Sequence, residues 1–248
     1  MLSKSTYQHL VNNNNKCSAI ALIDPDVKND AKLETIIDII NSSGFDAIFV
    51  GGSIIMDHLF EARLKYIKSR TNLPLILFPG SSTQVSGEAD AILYLSLISG
   101  RNPQYLIGEH VQSAPKIHNL KLEAIPTGYI LLDGGKKTSV AIMSNTLPIP
   151  VEKKEIILAH ALAGQYLGHK FIYLEMGSGS KKNISAELVS YIKNNISIPI
   201  IVGGGINTIE SAKSISIAGA DFIVIGSLLE NEQDNNLINK ICYAIHEN

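Results

Sequence analysis

The stretch IPIIVGGGINTIESAKSISIAGADFIVIGSLLE, residues 198–230, decides the fold because it contains two successive units of strand, glycine turn and helix. Each unit begins with an apolar run that ends in small residues, which are Gly203, Gly204 and Gly205 in the first and Gly226 and Ser227 in the second. Such turns leave backbone N–H groups bare, and the helix N-termini behind them add positive dipole ends, so anions bind there. In (β/α)8 barrels the loops after the last two strands form a phosphate site. The stretch therefore predicts the end of such a barrel, with simple turn glycines as the alternative.

Apolar runs alternate with helix-like segments along the chain, and this order predicts a parallel sheet. The expected strands cover residues 19–23, 47–50, 75–78, 91–95, 125–132, 171–174, 200–202 and 222–225. A chain of 248 residues matches the ~250 typical of one barrel. We therefore expect an α/β fold with a single TIM-type (β/α)8 barrel domain over residues 1–248, allowing for a modified helix. The long connection at 134–150 is either a lid or an irregular crossover, and its Lys136 and Lys137 are interpreted as solvated charges that a lid could bring to a phosphate.

Composition restricts the class of partner. A net charge of -2 and a pI near 6.4 offer no basic surface for nucleic acid. No apolar run reaches the ~18 residues of a transmembrane segment. The first residues, MLSKSTYQHLVNNNNK, lack the apolar centre of a secretory signal, so we expect a cytoplasmic protein. Cys17 and Cys242 have neither metal-ligand nor redox spacing and are expected to be reduced.

Polar residues follow the expected strands at their carboxyl ends, which meet at one mouth of a barrel. Asp24 and Asp26 follow the first strand, and Ser53 follows the second. Because Mg2+ prefers oxygen ligands and shares them with substrate phosphates, Asp24, directly at the strand end, is the candidate metal ligand. For Asp26 a helix N-cap is favoured. Ser53 is equally compatible with a hydroxyl ligand and with a cap of a helix beginning near Ile54.

The segment YLEMGSGS, residues 173–180, combines three kinds of polar group after the sixth strand. Glu175 can accept a proton, Tyr173 can hydrogen-bond a substrate hydroxyl or phosphate, and the Gly-Ser-Gly turn at 177–179 can fold around an anion. A carboxylate beside an anion-binding loop favours a catalytic base over a structural ion pair.

Eight motifs together closely resemble those of the geranylgeranylglyceryl phosphate synthase family, in the family's order over nearly the whole chain. They are LIDPD (22–26), FVGGS (49–53), LFPGS (77–81), SGRNPQYLIG (99–108), PTGYILLDGG (126–135), YLEMGSGS (173–180), IVGGGI (201–206) and IGSLLE (225–230). The resemblance, which is to the longer of the family's two groups, implies a TIM-type barrel. It also implies a prenyltransferase of lipid biosynthesis that joins a polyprenyl diphosphate, such as geranylgeranyl diphosphate, to sn-glycerol 1-phosphate. An ether forms and diphosphate leaves, with Mg2+ as cofactor.

By position, the resemblance implies that Asp24 and Ser53 form the magnesium site, where the metal neutralises the departing diphosphate. It implies a glycerol 1-phosphate site made of Tyr173, Leu174, Glu175, Met176, Gly177, Ser178, Gly179, Gly204, Gly205, Gly226 and Ser227. Glu175 and Tyr173 are the catalytic candidates within it, with Glu175 as the base or orienter of the attacking hydroxyl.

The resemblance carries further implications, of which the first is the weakest. Arg101 and Asn102 are candidates for diphosphate contact, and Tyr105 is a candidate for limiting prenyl length. Many relatives read DPDK, whereas here an additional Val27 precedes Lys28, which leaves a phosphate contact by that lysine open. The family also implies a homo-oligomer, a hexamer or else a dimer.

Two other functions stay open at this point. A phosphosugar isomerase or cyclase of the histidine or tryptophan pathway type shares the two-loop phosphate site and would use Asp24 and Glu175 as an acid/base pair. A barrel that binds phosphate or a polyprenyl group without reaction is the other. The FVGGS and YLEMGSGS segments favour the prenyltransferase, and diphosphate release with glycerol 1-phosphate would separate the three.

Overall fold

Eight parallel strands form a closed barrel in sequence order, and the first pairs with the eighth to complete it. The computed structural model describes residues 5–12, 17–180, 182–231 and 235–247. The strands are β1 Ser18–Ile23, β2 Ala47–Val50, β3 Leu75–Leu77, β4 Ala91–Leu97, β5 Glu123–Leu131, β6 Phe171–Glu175, β7 Ile200–Gly203 and β8 Phe222–Ile225. The predicted (β/α)8 barrel is confirmed, and every expected strand end lies within two residues of an observed one.

Helices surround the barrel. They are α1 Thr6–Val11, α2 Leu33–Ser42, α3 Phe60–Arg70, α4 Glu109–Leu120, α5 Ser139–Ser144, α6 Lys154–Tyr166, α7 Ala186–Lys193, α8 Ile209–Ile217, α9 Ser227–Asn231 and α10 Asn235–His246. A 3-10 helix, Val27–Lys32, precedes α2, and a π-helix, Gln104–Gly108, precedes α4. Within the described part of the chain, we find no helix with the length and apolar character of a membrane span.

Side chains along each strand alternate between the barrel interior and the layer beneath the helices, because strand side chains have a period of two. In β6, Phe171 and Tyr173 belong to the interior cluster, whereas Ile172 and Leu174 belong to the outer cluster. Large aromatic and branched side chains fill the interior, so the barrel is a packed core and not a pore.

The N-terminal helix α1 covers the amino-terminal end of the barrel. The Ser5 hydroxyl and the Thr6 N–H both donate to the carboxylate of Glu123, at the start of β5. The ring of Tyr7 packs 5.4 Å from that of Phe171, and Leu10 joins the interior cluster. With this end covered, the carboxyl ends of the strands form the open mouth.

The ring of helices has one opening. Residues 78–90, which connect β3 to β4, contain no helix, and this is where the barrel departs from its regular form. The buried Gln84 holds the connection in place. Its side-chain amide donates to the carbonyl of Gly52 at 2.7 Å, and its oxygen accepts the N–H groups of Gly52 and Gly80 at 3.3 and 3.2 Å. One side of the barrel is therefore left free beside β4.

Close backbone packing at the ends of β2 and β3 makes Gly51 a stability determinant. A Cβ atom at Gly51 would lie 1.8 Å from the carbonyl oxygen of Phe78, which belongs to backbone and has little freedom to move. We expect Gly51→Ala to lower the free energy of unfolding by about 1–3 kcal/mol, the usual cost of overpacking, as measured by urea denaturation. Gly226→Ala is the control, because its Cβ would lie at an ordinary 3.4 Å from Leu22. Equal stability of the two variants would contradict the prediction.

Candidate functional site

A cavity of about 700 Å³ opens at the carboxyl ends of the strands, and the segments that follow all eight strands contribute to its lining. Ile92 and Tyr94 face outward from β4 and yet line the cavity. The cavity therefore extends past β4 into the space that a helix between β3 and β4 would fill. Sequence reasoning missed this extension, because no single residue pattern marks the absence of a helix.

The three predicted anion loops lie together at the mouth. Gly177, Gly179, Gly204 and Gly205 have positive φ angles of 89°, 64°, 86° and 77°, a region that favours glycine. The hydroxyls of Ser178 and Ser227 lie 3.4 Å apart, so the loops after β6 and β8 are in contact. Gly204 also packs against the loop after β6, since its Cβ would lie 2.9 Å from the N of Gly177. The structure thus brings the loops after β6, β7 and β8 around one space.

Two of the predicted site residues do not present their side chains to this space. Leu174 and Met176 are fully buried in the outer cluster. The N–H of Met176 donates to the carbonyl of Gly203 at 3.1 Å and belongs to the sheet. Their side chains therefore support the loop from behind.

Glu175 is buried at the end of β6, with 6% of its surface exposed. Its Oε1 accepts the N–H of Gly177 at 2.6 Å. Burial raises the pKa of this carboxyl to about 7, although the hydrogen bond from the Gly177 N–H lowers it. A carboxyl that titrates near neutral pH at a cavity wall can serve as a proton acceptor.

Gly203 makes room for this carboxylate, a role that sequence reasoning missed. A Cβ on Gly203 would lie 2.3 Å from the hydroxyl of Tyr173 and 2.7 Å from Oε2 of Glu175. A Cβ on Gly204 would lie 2.6 Å from Oε1 of the same residue. The GGG triplet was the available signal. The family resemblance assigns only Gly204 and Gly205 of this triplet, both to the glycerol 1-phosphate site.

An aromatic wall lies beside Glu175. The ring of Tyr173 stacks on Phe78 and Tyr129 with centroid distances of 5.3 and 5.2 Å. The Tyr173 hydroxyl has no hydrogen-bond partner among the described residues. Burial raises the pKa values of both tyrosines well above the ordinary value. Both phenols are therefore neutral at physiological pH, and Tyr173 has a hydroxyl available to a ligand.

Asp24 lies on the opposite side of the mouth. Its Oδ2 is 2.6 Å from the ammonium of Lys28, so that lysine reaches the site despite the additional Val27. Its buried Oδ1 has no partner within the described ranges. Gly52 packs on this oxygen, since a Cβ there would lie 2.6 Å away, and the next residue, Ser53, lines the cavity.

The donor set fits Mg2+ only if a ligand shares it. The described residues contain no group of three or more His, Cys, Asp or Glu side chains that could hold an ion by themselves. Mg2+ is commonly held by one or two carboxylates together with substrate phosphates and water. The unpartnered oxygen of Asp24 and the hydroxyl of Ser53 match that pattern.

The neighbouring polar residues have structural contacts. Asp26 caps the 3-10 helix through the N–H of Lys28, as predicted, and its Oδ2 accepts the N–H of Met56 at 2.8 Å. The proposed alternative for Ser53, a cap of a helix near Ile54, is wrong, because α3 begins at Phe60.

Arg63 joins the loops that carry Asp24 and Ser53. Its buried guanidinium forms two hydrogen bonds to Asp30 and two to Asp57, and it donates to the carbonyl of Pro25 at 3.1 Å. The guanidinium lowers the pKa of Asp57 to about 2. Sequence reasoning did not identify this arginine, because its partners lie in separate loops.

The segment at 134–150 is anchored at its base. The N–H of Ile149 donates to the carbonyl of Leu131 and the N–H of Asp133 to the carbonyl of Ile149, both at 2.9 Å. The segment between them carries α5 over the mouth, with Lys136 and Lys137 at the cavity. Tyr105 also lines the cavity, whereas Arg101 and Asn102 are not part of its lining.

Comparison with known proteins gives consistent matches. A family model described as the PcrB family matches residues 12–245. The chain is similar to a geranylgeranylglyceryl phosphate synthase of Flavobacterium johnsoniae, with 48% identity over 220 residues, which is 89% of this chain and 90% of the relative. A synthase of the same name from Chitinophaga pinensis is 44% identical over 229 residues, 92% of this chain and 90% of the relative.

A solved structure extends the comparison to three dimensions. The (S)-3-O-geranylgeranylglyceryl phosphate synthase from Thermoplasma acidophilum, in complex with sn-glycerol-1-phosphate, superposes with a TM-score of 0.93 at 34% identity. The match covers 98% of this chain and 99% of that chain.

Burial of Glu175 makes stability depend on pH. Since its pKa is about 7 in the folded protein and near 4.5 when unfolded, the folded state binds the proton more strongly. The free energy of unfolding therefore falls as pH rises from about 4.5 to 7, by ~3 kcal/mol in total. Glu175→Gln removes the ionisable group and should lack this fall. At pH 8 the variant should therefore have a larger free energy of unfolding than the wild type, and this difference should be smaller at pH 4.5.

Urea denaturation at both pH values measures this difference. Glu187→Gln, at an exposed carboxylate, controls for the change of net charge. Parallel pH curves for wild type and Glu175→Gln would show that Glu175 ionises at its ordinary pKa.

Proposed function

The chain belongs to the PcrB family, it is a prenyltransferase of lipid biosynthesis that acts on glycerol phosphate, and we propose that it joins geranylgeranyl diphosphate or another polyprenyl diphosphate to sn-glycerol 1-phosphate. The observation that carries the proposal is one cavity with three glycine turns, a buried carboxyl of raised pKa and an apolar extension. A phosphosugar isomerase or cyclase would not require the extension, and a carrier would not require the carboxyl.

The proposed reaction requires a proton acceptor, and we assign this role to Glu175. One of the two free hydroxyls of glycerol 1-phosphate attacks C1 of the prenyl diphosphate, so a C–O ether bond forms and the bond to diphosphate breaks with its electron pair. The hydroxyl proton passes to Glu175, which accepts it only when ionised. Tyr173 orients the acceptor through its unpartnered hydroxyl.

Backbone groups hold the phosphate of the acceptor in this proposal. The turns at 177–179, 204–205 and 226–227 offer N–H groups, apart from that of Gly177, which donates to Glu175. With the hydroxyls of Ser178 and Ser227, these donors match phosphate oxygens. The acceptor then lies between the turns and Glu175, with its hydroxyl directed to the carboxylate.

The apolar extension holds the prenyl chain. Ile92 and Tyr94 line it from β4. The aromatic Tyr105, whose hydroxyl donates to the carbonyl of Met143 at 3.2 Å, also lines the cavity. We assign Tyr105 as a residue that limits prenyl length. Arg101 and Asn102 are not assigned to the diphosphate, because Arg101 donates to Gly100 and Asn102 to Ser144.

Asp24 and Ser53 would hold Mg2+ in this proposal. When bound, the ion supplies positive charge that stabilises the departing diphosphate. Asp24 contributes its unpartnered Oδ1, and Arg63 holds the two loops in register.

The direct test is formation of the ether product. Purified protein is incubated with Mg2+, sn-glycerol 1-phosphate and a ladder of prenyl diphosphates, and product mass and diphosphate release are measured. We expect equal amounts of both products and a preference for one chain length. Diphosphate release that does not depend on glycerol 1-phosphate would contradict the proposal.

The same proposal includes a cytoplasmic homo-oligomer, with a hexamer preferred to a dimer. It rests on the family and on the frequency of symmetric assembly among soluble enzymes. Light scattering at micromolar concentration measures the assembly, and particles of only the 26.9 kDa chain mass would contradict it.

Substitution of Asp24 separates metal binding from folding. Asp24→Asn removes a negative charge at a strand end and should lower turnover by on the order of 10²-fold or more, with an unchanged melting temperature. Asp26→Ala is the comparison variant and should instead lower stability by about 1 kcal/mol through loss of the cap. If Asp24→Asn retains full turnover, the metal site lies elsewhere.

Glu175→Gln tests the proton acceptor. The variant preserves shape and one hydrogen-bond acceptor, so turnover should fall by ~10²–10⁴ while the affinity for glycerol 1-phosphate changes less. Turnover of the wild type should rise as pH increases through about 7, the pKa of Glu175. An unchanged turnover number, under conditions where chemistry limits the rate, would assign Glu175 to orientation alone.

A further inference from the structure

The glycine turns supply hydrogen bonds but no positive charge. A phosphate monoester carries a charge of about -1.5 to -2 at pH 7, and the described turn residues at 177–179, 204–205 and 226–227 are glycine and serine. Desolvating such an anion without a counter-charge is costly. A counter-charge in the cavity lining is therefore expected.

Three lysines among the described residues line the cavity: Lys28, Lys136 and Lys137. Lys28 is already paired with Asp24 at 2.6 Å. Lys136 has no ion pair within the described part of the chain, and its ammonium lies 3.0 Å from the position that a Cβ on Gly179 would occupy. Its free positive charge is thus at the edge of the anion turn after β6.

The backbone on both sides of Lys136 is locked to that same turn. On one side, the hydroxyl of Ser180 donates to the carbonyl of Gly134 at 3.1 Å. A Cβ on Gly134 would lie 2.5 Å from the carbonyl oxygen of Met176, so this contact is close. These contacts hold the backbone next to Lys136, and therefore its ammonium, close to the turn after β6.

On the other side, Thr138 is buried against Gly177, where a Cβ would lie 2.1 Å from its methyl carbon. The Thr138 hydroxyl also accepts the N–H of Ala141 at 3.2 Å and so caps α5. The segment and the turn after β6 therefore form one packed unit, and Lys136 lies between its two contact points.

We propose that Lys136 is a phosphate-binding residue that neutralises the phosphate of glycerol 1-phosphate in the three-turn site. Lysine acts there as a point charge on a flexible stem, which allows it to follow a phosphate that the turns orient. The inference rests on the proposed function and deepens it, because it assigns affinity for the acceptor to the segment at 134–150. The ligand class is a phosphomonoester dianion.

The test measures binding without the reaction. Calorimetric titration with sn-glycerol 1-phosphate, in the absence of prenyl diphosphate, compares wild type with Lys136→Met, Lys136→Arg and Lys116→Met. We expect Lys136→Met to weaken binding about 10- to 100-fold, as for a charge-assisted hydrogen bond. Lys136→Arg should recover part of the affinity. Lys116→Met carries the same charge change at an exposed lysine of α4 that does not line the cavity, and it should bind as the wild type does.

Kinetics give a second readout. Lys136→Met should raise KM for glycerol 1-phosphate, leave KM for the prenyl diphosphate unchanged, and show a weaker dependence of affinity on salt than the wild type. Wild-type affinity in Lys136→Met, or an equal loss in Lys116→Met, would overturn the assignment. A wild type that binds glycerol 1-phosphate but forms no ether would contradict the proposed function and leave this assignment intact.

Discussion

The mouth of this barrel depends on backbone contacts that tolerate no Cβ atom. Gly51 lies against the carbonyl of Phe78, Gly80 lies against the carbonyl of Gly52, and Gly203 lies against the side chains of Tyr173 and Glu175. Parallel strands end at the same level, so their loops compete for the same space. Glycine at these ends lets the loops approach closely enough to form one cavity.

Burial of Glu175 follows from this packing and carries an energetic cost. The carboxyl is enclosed by the glycine backbone of β7, which excludes water and raises its pKa to about 7. The ionised form therefore destabilises the fold, while the same shift brings the proton affinity close to neutral pH, where a base is effective. A position that costs stability and lies at a cavity wall is typical of a functional residue.

The two sides of the site are held by different forces. On the side of β1 and β2, Arg63 joins the loops through ion pairs with Asp30 and Asp57. On the side of β5 and β6, close packing of Thr138 on Gly177 joins the segment at 134–150 to the anion turn. Each of these contacts joins residues of different segments. The relative position of Asp24 and Glu175 therefore depends on contacts between residues that are distant in the sequence.

The sequence by itself determined the barrel, the eight strands and the three glycine turns after β6, β7 and β8, because strand and helix periods and strand-end glycines are local patterns. It also placed Asp24 and Glu175 at the mouth, since the carboxyl ends of the strands meet there. The tertiary structure decided the rest. Four features depend on segments that are far apart in the chain. They are the opening at 78–90, the ion pairs of Arg63, the space that Gly203 leaves for Glu175 and the position of Lys136. Such contacts depend on the close approach of loops in three dimensions, and no pattern within one segment records them.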